Sequence, residues 1–194
     1  MQSYSKIAVL IYFIAVPIIY HLLAYTGHFG YDDLHYAKLA NDMLGGKIDW
    51  QDHYSYRWTL LFLTAFFYQL FGVSDVASCL PPLIITSLTI YFVYRVLKDE
   101  NLVVIIIGLA LTTLNNWSLF YADKIMPDVY VNLFIFLVFY VIYSYKFSNA
   151  NKSPKIYGFY FGIAFLFGFI SKETVLLIVP VLIYLFTIDF ILRV

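Results

Sequence analysis

An all-α bundle of membrane-crossing helices is the fold class these residues predict, on three observations. Hydrophobic residues make up 62% of the chain and charged residues 12%, with a mean hydropathy of +0.80, a balance that would leave a water-soluble globule exposing far more apolar surface than water tolerates. The apolar residues also gather into runs near the length of about 20 residues that a helix needs to cross a hydrocarbon core. Within those runs every residue is as apolar as its neighbour, whereas a membrane β-strand alternates. The 12 basic and 12 acidic residues cancel, so the chain carries no basic footprint for nucleic acid. Cys79 stands alone in the sequence and has no internal disulfide partner, and no Cys/His spacing matches a zinc site.

The elements follow in order along a single transmembrane module, residues 1–194. Residues 7–25, preceded by Lys6, form the first span. No small-x-small cleavage site follows them, so they read as a retained anchor and not a signal peptide. A loop, 26–56, comes next. Its stretch 31–44 reads as a short amphipathic helix: Asp32, His35, Tyr36, Leu39 and Met43 share one face by their three- and four-residue spacing, with Asp33, Ala37, Ala40 and Leu44 adjoining. Acids suit the positive start of such a helix, and Gly45-Gly46 ends it. The apolar run 58–71 would reach only about 21 Å as a helix, short of a core of about 30 Å, and is expected to be re-entrant or interfacial. Full segments are expected at 77–97, 102–117, 129–145, 156–170 and 175–192.

Orientation follows from where the cations gather, since short cytoplasmic loops are enriched in Lys and Arg. Lys6, then Arg95 with Lys98, then Lys146 with Lys152 and Lys155 form three such clusters. If all three face the cytoplasm, the loop 26–56, the segment 115–130 and the "SKET" stretch at 171–174 share the opposite, external face. Most of the acids near the membrane lie in those three loops.

At this point the residues carry a family resemblance. "FGYDDLHYAKLANDMLGGKIDW" (29–50) resembles the first external loop of the polyprenyl-phosphate-sugar-dependent glycosyltransferases of GT-C fold, which include the protein O-mannosyltransferases and the lipid A aminoarabinose transferases. The family's acidic pair, Tyr, Ala, Met-Leu, Gly-Gly and Asp-Trp correspond to Asp32-Asp33, Tyr36, Ala40, Met43-Leu44, Gly45-Gly46 and Asp49-Trp50. "YQLFGVSDVASCLPPLIITSLTIYFVYRVLKDE" (68–100), "MPDVYVNLFIFLVFYVI" (126–142) and "GIAFLFGFISKETVLLIVPVLIYLF" (162–186) are similar to later family segments in the same order. Where several members have Lys-Pro-Pro before the second apolar run, this chain has "YSYRW", so Arg57 would supply the cation. Family members continue through further helices, often with a soluble domain. The resemblance therefore implies that these residues correspond to the amino-terminal portion of such an enzyme, shortened relative to the family.

What the resemblance implies is sugar transfer from a polyprenyl-phosphate carrier to an acceptor glycan, lipid or protein. The active face would be external, on a multi-pass protein of a bacterial or archaeal plasma membrane. Such a reaction needs a base for the acceptor's proton and positive charge for the departing phosphate. Carried over, Asp32 is the base and Asp33 supports it, Arg57 and Lys172 bind the donor phosphate, and Asp128 is a second acid. Tyr36, His53, Tyr54 and Glu173 would line the substrate groove. A divalent metal cation at Asp128 is the one cofactor the resemblance suggests, as some members use one.

Each residue has a plainer reading beside this one. The acid pair can simply cap its helix, Pro127-Asp128 can simply start one, Arg57 can reach to lipid headgroups, and Lys172-Glu173 can neutralise each other in a turn. His21 reads as packed in the first span, while His28, His35 and His53 share the first loop at spacings that match no ligand motif. Two readings compete with the enzyme: a protein that binds or transports a lipid-linked sugar without reacting it, and an inactive shortened relative that scaffolds a partner subunit.

Overall fold

The computed structural model describes residues 2–147 and 153–191. Among them the regular structure is entirely helical: α1 (Gln2–Ala24), α2 (Gly30–Leu44), α3 (Trp58–Phe71), α4 (Asp75–Leu97), α5 (Leu102–Thr113), α6 (Asn116–Tyr121), α7 (Pro127–Phe147), α8 (Pro154–Ser171) and α9 (Val179–Ile191), with 3-10 turns at His53–Tyr56 and Glu173–Ile178. Among the described residues four helices are long and apolar enough to cross a membrane: Tyr4–Ala24, Asp75–Leu97, Pro127–Lys146 and Pro154–Ser171.

Two helix starts show how local sequence sets the boundaries. Ser74 accepts the amide hydrogen of Ala77 at the start of α4, and Asn101 does the same for Val104 at the start of α5. Each thereby satisfies an amide that the first turn leaves without a partner. The run 102–117 does not form one helix. Leu114 closes α5, and Asn115, whose side chain accepts from Ser118 N, starts α6 in a new direction. The run 175–192 likewise divides, its first part taken by the 3-10 turn and the rest by α9.

Contacts between distant segments orient the bundle. Lys6 donates to the carbonyls of Lys98 and Glu100 at 2.8 and 2.7 Å, which places the start of α1 beside the α4–α5 junction. The first two cation clusters therefore share one end of the bundle; Lys152 of the third lies outside the described residues. At the other end, His21 of α1 meets Asp123, Lys124 reaches Gly27 O, and Arg57 meets Glu173. The loops around 26–56, 115–128 and 171–174 thus converge, as their common assignment to one face requires.

Both ends of α3 lie at this same end. Its first residues touch α8 through Thr59 Oγ1 donating to Phe167 O, and Tyr68 near its close hydrogen-bonds Ser78 at the start of α4. Asp75, at that start, stands 3.7 Å from His28. The helix does not cross the bundle but lies across its end beneath α2, with Leu60, Leu61, Ala65 and Tyr68 packed against Tyr36, Leu39 and Ala40. Burial of that apolar face is what holds the amphipathic helix down. The buried side of α2 is Asp33, Tyr36, Leu39 and Ala40. It is thus rotated from the expected face, so that Asp33 points inward and Asp32 lies at the margin.

Candidate functional site

The acid pair divides into two environments. Asp33 is fully buried, and its carboxylate accepts the amides of Phe29 and Ile125, each at 2.8 Å. His28 Nδ1 stands 3.2 Å from the same group. These bonds tie the start of α2 to the loop before α7. Asp32 is half-buried, and the hydroxyl of Tyr54 donates to it at 2.8 Å. Asp33 is thus engaged by two backbone amides and His28, and it shares α2 with Asp32 without contacting it through a hydrogen bond.

Tyr54 is positioned by the turn it occupies. Asp52 caps the His53–Tyr56 turn by accepting Tyr54 N at 2.9 Å, and His35 of α2 holds the same carboxylate at 2.5 Å. Burial works to raise the Asp52 pKa, but these two hydrogen bonds outweigh it and hold the carboxyl below its ordinary value. The hydrogen bond to Asp32 raises the Tyr54 pKa above its ordinary value, so the phenol remains a donor through neutral pH. Tyr36 packs edge-on to Tyr54 with ring centroids 5.2 Å apart. Burial pushes its pKa up to about 12 against the opposing pull of the Arg57 guanidinium. Tyr36 therefore stands between the half-buried acid and the buried cation. His53 is exposed; its Nδ1 lies 3.9 Å from Asp52, and its ring packs on that of Tyr54 with centroids 4.1 Å apart.

The two cations are each paired with an acid from another part of the chain. Arg57, almost fully buried, makes a two-pronged contact with Glu173, Nη1 to one carboxylate oxygen and Nη2 to the other. Lys172 donates to Asp128 Oδ1 at 2.9 Å. Lys172 and Glu173 therefore do not neutralise each other: the extended backbone at Lys172, between α8 and the following turn, sends them to different partners. Asp128 sits in the first turn of α7, where the helix end favours negative charge, and keeps an exposed side.

A second charged group lies behind the site. Asp123 and Lys124 are both buried, 3.1 Å apart. His21 holds Asp123 at 2.9 Å, and Lys124 donates to Gly27 O and sits 4.5 Å from the Tyr25 ring centroid. Reasoning from sequence passed over this pair. Its signal was two adjacent charges in a stretch otherwise apolar from Leu119 to Pro127. Among the described residues no three His, Cys, Asp or Glu side chains converge to hold a metal ion, and Asp32 and Asp128 are engaged by Tyr54 and Lys172. Each of these two acids is thus hydrogen-bonded to a side chain of its own, and they do not meet as the several oxygens that a divalent cation takes.

Comparison with known proteins bears on this arrangement. The sequence model of the family described as dolichyl-phosphate-mannose-protein mannosyltransferase matches residues 59–193. The chain belongs to that family. The match covers Asp128, Lys172 and Glu173, and begins just after Arg57 and the loop that carries Asp32. No curated protein and no solved structure matches the chain. Membership in this mannosyltransferase family, together with four long apolar helices, makes the protein an integral membrane protein of a glycosyltransferase type.

Proposed function

We propose that this protein carries the groups with which a membrane glycosyltransferase moves a sugar from a polyprenyl-phosphate carrier to an acceptor on the external face. The observation that carries the reading is the setting of Asp32: an accessible carboxylate on a helix clamped through Asp33, with Arg57 and Lys172 held at the same end of the bundle. In this reaction the acceptor oxygen attacks the anomeric carbon while the bond from that carbon to the phosphate oxygen breaks. The proton of the acceptor passes to Asp32, and the lipid phosphate leaves with the bonding electrons. Attack opposite the leaving group inverts the anomeric centre.

Each group has a physical task. Asp32, oriented by Tyr54, accepts the proton. The Arg57 guanidinium matches two phosphate oxygens as it matches the two oxygens of Glu173, so a donor phosphate would exchange with that carboxylate. Lys172 adds a second positive charge, released from Asp128 or shared with it. The acceptor is a glycan, lipid or protein, of which the family's description names a protein.

The test is Asp32→Asn in the whole protein, reconstituted with a polyprenyl-phosphate mannose donor and assayed for transfer. Transfer is expected to fall by about 100-fold or more, the range for a lost general base, with membrane insertion unchanged. Equal transfer by variant and parent sinks the assignment.

A further inference from the structure

Between α4, α5, α6 and α7 lies a cleft of about 310 Å³, the size of a pocket for one small ligand. Asp128 and Asn132, one turn apart on α7, line one wall, and Thr89 of α4 and Thr112 of α5 line the other. Trp117 and Tyr121 of α6 border it as a stacked pair, ring centroids 5.6 Å apart and planes 10° from parallel, with Trp117 70% exposed.

The hydrogen-bonding sense of the walls is informative. Thr89 gives its hydroxyl proton to Ile85 O at 2.9 Å, and Thr112 gives its own to Gly108 O at 2.8 Å. Both oxygens are left as acceptors. Asp128 offers a carboxylate, and Asn132 an exposed amide that can donate or accept. Asp128 is the one charged group among the lining residues. Phosphate would meet acceptors there, and the cation that neutralises Asp128, Lys172, is not among the residues that line the cleft. A prenyl chain would strip water from polar groups and return no hydrogen bonds. A pyranose ring answers all these features, for its hydroxyls donate to the acceptors and its C–H face lies on the electron-rich face of an indole.

We propose that this cleft binds the ring of a neutral saccharide, with Trp117 as its platform and Thr89, Thr112, Asp128 and Asn132 as hydroxyl partners. The proposal rests on the glycosyltransferase reading and adds the place of an uncharged sugar apart from the phosphate-binding cations. Asp128 links the two regions, since the carboxylate that lines the cleft also holds Lys172. The sugar of the lipid carrier and a sugar of the acceptor glycan share this chemistry.

The experiment uses the whole protein in lipid nanodiscs with Trp50→Phe and Trp58→Phe, so that Trp117 reports alone among the three tryptophans of the sequence. Methyl α-D-mannopyranoside is expected to change its emission saturably, while polyprenyl monophosphate does not. Asn132→Leu and, separately, Thr89→Val are each expected to weaken the glycoside by about tenfold, the scale of one lost hydrogen bond, with circular dichroism unchanged. A response that never saturates, or that keeps its midpoint in both variants, overturns the proposal. Displacement of the glycoside by polyprenyl-phosphate mannose supports the carrier's sugar as occupant, and simultaneous binding supports an acceptor sugar. Asp32→Asn separates the two readings. Absent saturation beside Asp32-dependent transfer overturns the cleft alone, whereas saturation beside Asp32-independent transfer overturns only the assignment of the base.

Discussion

Asp33 accepts the amide hydrogen of Ile125 at 2.8 Å across 92 positions of sequence. This bond makes the second acid of the pair a clamp, while the first, half-buried, accepts from Tyr54 and is the base of the proposed reaction. The two should therefore respond differently to the same conservative change. Asp33→Asn keeps a single acceptor oxygen for two backbone amides and is expected to cost about 1–3 kcal/mol, the desolvation penalty of a buried group left without its partner. Thermal unfolding in detergent should show the loss for Asp33→Asn. The same scan for Asp32→Asn, at a half-buried position, should stay within about 0.5 kcal/mol of the parent.

Arg57 and Glu173 form a fork that lysine cannot reproduce, because an ammonium is a point charge. Arg57→Lys is expected to raise KM for the lipid-phosphate donor by about tenfold or more, the equivalent of one charge-assisted hydrogen bond of about 1.5–3 kcal/mol. Glu173→Gln removes the competitor for the guanidinium and should lower that KM. Initial rates over a donor titration distinguish these outcomes, and an unchanged KM in both variants argues that phosphate does not meet Arg57.

His28 makes docking of α2 dependent on pH. Its pKa is raised first by the hydrogen bond to Asp33, against the opposing effect of burial. A raised folded-state value means that the stabilisation is complete below the ordinary histidine pKa of about 6.5 and is lost as pH climbs through the higher folded value. Amide exchange in α2 should therefore accelerate on going from pH 6 to pH 9 more than base catalysis explains. His28→Asn should remove the excess.

The buried Asp123–Lys124 pair predicts strong coupling. Lys124→Met leaves Asp123 with only the His21 hydrogen bond and is expected to destabilise the protein by about 3–5 kcal/mol, as breaking a buried ion pair does. Adding Asp123→Asn should recover part of the loss, since no uncompensated charge then remains. Additive losses in this double-mutant cycle would mean the two side chains do not interact.

Much of the fold was legible along the chain because it depends on local pattern. The spans at 77–97, 129–145 and 156–170 sit within α4, α7 and α8, since length and apolarity suffice to mark a helix that crosses a membrane. The short run 58–71 coincides with α3, whose 14 residues reach about 21 Å. The break between α5 and α6 was less visible, because Leu114-Asn115 interrupts the helix through a side-chain cap and not through a Pro or Gly.

The sequence by itself determined that the chain is a helical membrane protein, that its acids cluster in loops sharing one face, and that it resembles a glycosyltransferase family. Composition and order along the chain are enough for those conclusions. Only the tertiary structure decided which acid of the pair is buried, because a rotation of α2 by one residue exchanges Asp32 with Asp33 and depends on how Tyr36, Leu39 and Ala40 meet α3. It also decided that Arg57 pairs with Glu173 and Lys172 with Asp128. Partners 116 and 44 positions apart are chosen by the packing of helices, which no local spacing encodes.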